Sequence, residues 1–325
     1  MKMHKLIENI KKLPAGKKLL YFSLATRISV LLLITTFALM NSYLNYKTGY
    51  NSSRLVGLSS GVLAQAAYQI TDTMLYFFDD PIGFLQASSG MTWSIRILGV
   101  PFTDPVAGLS ILIKNHSMET GFAIGLLVPF FMAFVFGRVF CAYICPASLL
   151  FFSIARIRRT LGTWFYFPQF KMSQWFAWGV LLGGLVTAWQ FGHGVWTLIL
   201  PYFAMGQTIF HGIAFGTASV SVFSLIAFFI LDLVFGHQFT CRYVCPTGRL
   251  LGFIGRKSII SVRRNDKLCL EKCNMCADVC PMGISPKLDE SVNCTLCGEC
   301  MVICPANCLK PGKLVAHEGQ NSKKD

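Results

Sequence analysis

The sequence predicts a mainly α-helical protein: a polytopic membrane domain of four transmembrane helices in two hairpins, followed by a small α+β ferredoxin domain. Composition, the alternation of apolar runs with basic blocks, and cysteine spacing carry this expectation. Of 325 residues, 54% are hydrophobic and 14% charged, against about 25% charged in a soluble globular chain. The formal net charge of +14 does not point to nucleic acid. The basic residues recur in blocks between apolar runs, the pattern that writes membrane topology. The thirteen cysteines are an odd number, so disulfides alone leave one thiol over, and their spacing points to metal.

Residues 1–18 read as a basic amphipathic segment, with Met3, Leu6, Ile7, Ile10 and Leu13 on one helical face and Lys2, Lys5, Lys11 and Lys12 opposite. Such a face lies flat on an anionic membrane surface. The membrane domain, 19–256, holds four runs long enough for a hydrocarbon core of about 30 Å, near 19–44, 121–140, 174–191 and 218–236. The first run is too long for a signal core and has no small-residue cleavage site after it, so it is expected to stay as a helix. Arg27 within it is expected to snorkel to the headgroups. Basic blocks at Arg138–Lys171 and Arg242–Arg264 place both termini and the 141–174 loop in the cytoplasm.

In the long segment after the first span, Leu63, Ala67, Ile70, Met74 and Phe77 form the apolar face of an amphipathic helix. The steps Asp80-Pro81 and Asp104-Pro105 read as turns in extracytoplasmic loops. The segment 193–216, without formal charge beyond its histidines, reads as the outer connection between spans three and four.

Residues 257–310 carry the ferredoxin spacing, and 311–325 read as a disordered tail. Cys294-x2-Cys297-x2-Cys300-x3-Cys304-Pro305 is the bacterial two-cluster pattern, in which three close cysteines hold one cube and the fourth crosses to the other. Cys269-x3-Cys273-x2-Cys276-x3-Cys280-Pro281 repeats it with one extra residue in the first gap. By the crossing rule one [4Fe–4S] cluster takes Cys269, Cys273, Cys276 and Cys304, and a second takes Cys294, Cys297, Cys300 and Cys280. Cys269 is the ligand that departs from the pattern. Zinc sites are built on separated Cys-x2-Cys pairs, and disulfides are disfavoured in a reducing cytoplasm. Cys308 lies outside the pattern and reads as a spare thiol.

An internal repeat supplies a second set. Cys141-x3-Cys145-Pro146 and Cys241-x3-Cys245-Pro246 each follow the second helix of a hairpin. Cysteines four apart share one helical face, and proline disfavours continuing that helix. Four thiols at one membrane depth can bind metal, form a redox disulfide or face a quinone; matched pairs argue against their being mere filler between helices. Asp232 is the one acid within the spans, a functional candidate by default, with Arg138 as its expected structural partner. His193 and His211 border the outer connection as candidate quinone or proton groups. No span has a mid-helix histidine, so haem is not expected.

These residues resemble the NapH-type ferredoxin-like membrane proteins, with relatives of NosH type and the membrane part of NosR. The likeness rests on Val100-Pro-Phe-Thr-Asp-Pro105, both Cys-x3-Cys-Pro motifs, Ile230-Leu-Asp-Leu233 and the ferredoxin pair, and covers roughly 100–305. The resemblance implies a quinol dehydrogenase subunit of the bacterial inner membrane, with its ferredoxin domain cytoplasmic. It implies menaquinol or ubiquinol as donor and a NapG-type periplasmic iron–sulfur protein or a c-type cytochrome as partner. A periplasmic nitrate or nitrous oxide reductase is then the terminal acceptor. The longer segment after span one and the extra residue in the first ferredoxin gap depart from the pattern, and the former tilts the expectation towards nitrous oxide. The competing expectation is a maturation factor that handles copper through its Cys-x3-Cys pairs, as in CcoG-like proteins; a redox-sensing regulator ranks last, since no output domain is recognisable.

Overall fold

A computed structural model of the chain describes residues 14–50, 62–88, 90–91, 94–97, 99–117, 120–162, 170, 172–265, 267–270, 273–286 and 293–313. The expected surface helix of residues 2–13 and the tail from 314 lie outside these. Fourteen helices run in chain order among the described residues. They are α1 Ala15–Tyr50, α2 Val62–Leu75, α3 Pro81–Ala87, α4 Pro105–Asn115, α5 Thr120–Phe136, α6 Val139–Tyr143, α7 Ala147–Leu161, α8 Gln174–Phe191, α9 Trp196–Ile199, α10 Pro201–Phe215, α11 Ser221–Phe235, α12 Pro246–Ile254, α13 Met275–Asp278 and α14 Glu299–Ile303. Strands β1 Gly90–Met91, β2 Ser94–Ile97 and β3 Val100–Thr103 form an antiparallel meander. Strands β4 Ile260–Arg264 and β5 Leu309–Lys313 pair antiparallel around the ferredoxin cysteines, with Val262 opposite Pro311. The molecule is mainly helical, as expected.

Among the described residues one helical stretch, Ala15–Asn45, is long and apolar enough to cross a membrane; Thr120–Phe136 and Ser221–Phe235 are apolar but shorter. Helix α8 coincides with the third expected span. The second expected span is interrupted: Gly137, at φ +70°, turns the chain between α5 and α6. A side chain there would press on Ser258, so glycine serves both the left-handed turn and the close approach.

The segment 193–216 is not a loop. Its near absence of charge suits the interior, and α10 lies at the centre of the bundle with Tyr202, Phe203 and Ala204 buried. Trp196 is fully buried against Gly184 of α8, where a Cβ would come within 2.7 Å of the ring, and its Nε1 donates to Ser110 Oγ at 3.1 Å. Pro201, Gln207 and His211 break the apolar run in sequence, but Pro201 opens the helix at its first position, where no N–H is needed.

The Asp-Pro steps are helix starts. Asp80 caps α3 by accepting from Gly83 N, and Asp104 caps α4 by accepting from Val106 N and Ala107 N at 3.0 and 2.9 Å. Asp104 is buried, which corrects its assignment to an extracytoplasmic loop. Helix α2 forms where the periodicity places it, but it packs on α1 through Thr71 and Leu75, and Tyr43 donates to Asp72. Its Ile70 and Met74, and Phe77 just beyond it, stay exposed. Arg27 does not snorkel: it is buried, donating to the Ala142 carbonyl, which also accepts from Ser23 Oγ, and to Ser23 Oγ itself.

The ferredoxin unit docks on the same end of the bundle as the start of α1. A side chain at Gly16 would collide with Met301, and Tyr143 donates to the Leu296 carbonyl at 2.9 Å. Ala142, Tyr143, Leu296, Cys300 and Met301 share one core.

Candidate functional site

Each Cys-x3-Cys-Pro motif is built the same way. A chain reversal at Gly137 or Gly236, both at positive φ, ends a long helix. One helical turn follows, α6 in the first copy and a π-helical turn Thr240–Val244 in the second, and the Cys-Pro step then opens α7 or α12. The cysteine pairs therefore do not line one continuous helix face. The second cysteine of each pair stands at the entrance to a new helix, because proline ends one helix and is well tolerated in the first turn of the next.

That geometry aims free helix N–H groups at sulfur. The amides of Ala147 and Ser148 point at Cys145, and that of Gly248 at Cys245. The ferredoxin Cys-Pro steps repeat it: Met282 and Gly283 face Cys280, and Ala306 and Asn307 face Cys304. Backbone donors at helix starts and turns stabilise negative sulfur, and hydrogen bonds to sulfur tune bound clusters.

Cys141, Cys145, Cys241 and Cys245 converge on one small cavity of about 20 Å³, walled also by Phe140, Tyr202 and Thr247. Burial pushes the Cys145 and Cys241 thiols far up and Cys245 to about 12, and their neighbouring sulfurs add to each shift. Cys141 completes the group, and a set of thiol sulfurs facing one cavity is a donor set suited to a cation, since thiolate is the ligand form.

In the ferredoxin unit a cavity of the same size, about 20 Å³, is lined by Cys269, Cys273, Cys276 and Cys304. Cys308, outside the pattern, also lines it, 3.4 Å from Cys304 Sγ; the turn into β5 brings it there. Cys280, Cys294, Cys297 and Cys300 form the second group, each raised by burial, with neighbouring cysteines of the group contributing. None of the thirteen cysteines, all among the described residues, is in a disulfide. All-thiolate donor sets with backbone N–H groups aimed at sulfur fit iron–sulfur clusters.

Asp232 is buried but does not pair with Arg138. Its Oδ1 accepts from Thr240 N at 2.7 Å, and Arg158 donates to the carbonyls of Asp232 and Leu233. Asp232 thus holds the turn that carries Cys241. Arg138 instead reaches Asn293 Oδ1 and the Cys241 carbonyl. The reason is the turn at Gly137, which swings Arg138 away from the helix axis. His193 lies in the turn His193–Val195, and His211 stacks near Phe215 within α10, about 14 Å along the helix from Tyr202. His211 lines neither the four-cysteine cavity nor the one beside it.

Two groups were missed by sequence reasoning. Tyr202 donates to Asp104 Oδ2, and its hydroxyl lies 2.8 Å from Thr247 Oγ1. Thr247 follows Cys245-Pro246, so a buried carboxyl and phenol stand beside the cysteine cavity. Burial raises Asp104 above the usual carboxylate range, against the hydrogen bonds from Tyr202, Ala107 and Val106. They also form the polar edge of an otherwise apolar cavity of about 290 Å³ between α1, α5 and the β-meander, lined by Leu33, Ile34, Phe102, Val128 and Met132. The Asp-Pro step in the Val100–Pro105 motif was the signal available.

A family model described as a 4Fe-4S binding domain matches residues 120–163 and 217–265, the two Cys-x3-Cys-Pro copies. The chain is 28% identical to the ferredoxin-type protein NapH of Haemophilus influenzae, over 70% of this chain and 80% of that protein. It is 29% identical to the NapH of Escherichia coli, over 63% and 72%. With the methylamine utilization ferredoxin-type protein MauN of Methylorubrum extorquens it shares 27% identity, over 65% and 72%. No solved structure matches. The motifs, the paired thiol cavities and these relatives agree in supporting a NapH-type ferredoxin-like family and an iron–sulfur protein of electron transfer.

Proposed function

We propose that the protein is a membrane quinol dehydrogenase subunit that passes electrons from quinol through thiolate-held iron–sulfur centres towards a periplasmic nitrate or nitrous oxide reductase. The observation that carries this is the shared wall of two cavities. Tyr202 and Phe140 line both the 290 Å³ apolar cavity and the four-cysteine cavity. A quinol ring in the larger cavity would meet apolar side chains around it and the Asp104–Tyr202 pair at its hydroxyl. Ligand cavities of this kind are mostly apolar with a few placed polar groups.

Iron–sulfur clusters supply one-electron acceptors. The chain's own residues do the rest. Asp104 in its ionised form receives a proton from the quinol hydroxyl, with Tyr202 and Thr247 orienting its carboxyl, and burial strengthens it as the proton acceptor. In the ferredoxin unit, Cys269, Cys273, Cys276 and Cys304 hold one cluster and Cys280, Cys294, Cys297 and Cys300 the other. The four bundle cysteines, walled off beside the quinol cavity, form the first acceptor centre. The partner on the acceptor side is a NapG-type iron–sulfur protein or a c-type cytochrome.

The membrane placement is part of the same proposal. Helices α1, α5, α8 and α11 are the four spans, with both termini and the ferredoxin unit cytoplasmic. Exposed Phe131, Phe191 and Phe223, at 67%, 81% and 74%, support it; apolar surface on this scale faces lipid or a partner rather than water. Helix α4, about 16 Å long, is about half as long as the hydrocarbon core of about 30 Å. It begins at the quinol cavity, with its start buried in protein.

The test is anaerobic mixing of the purified, lipid-reconstituted protein with reduced quinol while following iron–sulfur absorbance. Bleaching by quinol is expected. Reduction by dithionite but not by menaquinol or ubiquinol overturns the donor assignment. Iron and copper are quantified in the same preparation: about eight irons accompany two cubanes and about twelve accompany three. Copper bound in place of iron and lost on Cys141→Ser and Cys241→Ser favours the maturation reading, which the all-thiol cavity also suits.

A further inference from the structure

A second large cavity lies away from the quinol pocket, where the bundle meets the ferredoxin unit. It encloses about 500 Å³ and is lined by Arg138, Arg242, Arg249 and Arg256, with no carboxylate among its described lining residues. Arg138 is 3% exposed. Two of its nitrogens are engaged by Asn293 and the Cys241 carbonyl, and its Nε has no partner. Arg249 is held in place by Gln174 Oε1 at 2.6 Å and by stacking 4.9 Å over Trp178, and its Nε is likewise unpaired.

The site is shaped around these guanidinium groups. Gly283, at φ +62°, passes so close to Arg242 that a Cβ would fall 2.4 Å from its Nη2; Gly248 makes the same approach to Arg138. Gathering three more guanidinium groups around the buried Arg138, with no carboxylate among the described lining residues, costs desolvation and mutual repulsion. The Arg249 guanidinium is accordingly held below its ordinary value by burial and by Arg138 beside it. An anion with several acceptor oxygens relieves both terms, and the planar, multi-donor guanidinium matches phosphate oxygens in pairs.

We propose that this cleft is a binding site for a phosphate-bearing anion. Its rim suits a group from the membrane: Trp178 and the exposed Phe253 of α12 line it, the aromatic-and-basic pairing found at the headgroup level of membranes. A phospholipid headgroup can enter with its chains along α8, and free phosphate carries the same chemistry.

The experiment compares holoprotein in nanodiscs of phosphatidylcholine with and without phosphatidylglycerol, and in phosphatidylcholine with inorganic phosphate added. Bound lipid is counted by native mass spectrometry and bound phosphate by equilibrium dialysis. Retention of phosphatidylglycerol identifies a lipid source, and uptake of inorganic phosphate alone identifies a soluble one. The Arg242→Gln/Arg249→Gln variant removes two charge-assisted contacts and is expected to bind about a hundredfold more weakly. Arg156→Gln, on the exposed face of α7, is expected to bind as the parent does. If the parent retains neither anion, or the double variant binds as the parent does, the proposal fails. The first outcome does not depend on how the variant folds, and neither depends on quinol oxidation.

Discussion

The two thiol-bearing regions solve one chemical problem from opposite directions. In the ferredoxin unit eight cysteines lie within Cys269–Cys304, and local turns alone bring most of them together. In the bundle, two pairs a hundred residues apart meet only because α5–α7 and α11–α12 pack against one another and α10. Both regions nonetheless aim backbone N–H groups at sulfur through a Cys-Pro step. The difference teaches that the short ferredoxin module draws its thiols from one stretch of chain, whereas the bundle thiols are placed by the fold beside a large apolar cavity.

The sharpest way to break this comparison is Cys245→Ser. It is expected to abolish cluster reduction by quinol while dithionite still reduces the ferredoxin centres, read by absorbance and paramagnetic resonance. Undiminished quinol reduction would remove the bundle cysteines from the electron path. Asp104→Asn keeps the cap geometry but removes the base, and a loss of about 100- to 1,000-fold in quinol oxidation is expected. Because the base must be ionised and burial raises its pKa, the parent's rate should rise with pH through a point above the usual carboxylate range. The variant should lose that rise in stopped-flow profiles.

Cys269→Ser and Cys308→Ser sharpen the comparison within the ferredoxin unit, since both thiols line one cavity. Loss of about four irons is expected from the first change and none from the second; the reverse result moves the ligand to Cys308. The smallest effect is expected from Tyr202→Phe, which leaves the ring and removes the hydroxyl between Asp104 and Thr247. A drop of about tenfold in quinol oxidation is expected, consistent with one hydrogen bond to a charged group. An unchanged rate would mean that Asp104 needs no orienting partner.

Much of the fold was legible. Helices at 15–50, 62–75, 120–136, 174–191 and 221–235 lie where apolar periodicity and length place them, because those signals depend on residues close in sequence. Helix α10 was not legible, since Pro201, Gln207 and His211 lower its hydropathy and only packing shows it to be central. Arg27 read as a snorkelling residue because hydropathy has no knowledge of the Ala142 carbonyl it meets.

The sequence by itself determined that this chain is a thiol-rich, apolar electron carrier with two ferredoxin half-motifs and a repeated Cys-x3-Cys-Pro element, because ligand spacing and apolar run length are local properties. Only the tertiary structure decided that Asp104 and Tyr202, and not His211, stand beside the four bundle cysteines. The physical reason is that these groups are joined by hydrogen bonds across 98 and 45 residues of chain. Contacts of that reach are fixed by which helices pack together, and no periodicity or spacing in the sequence records them.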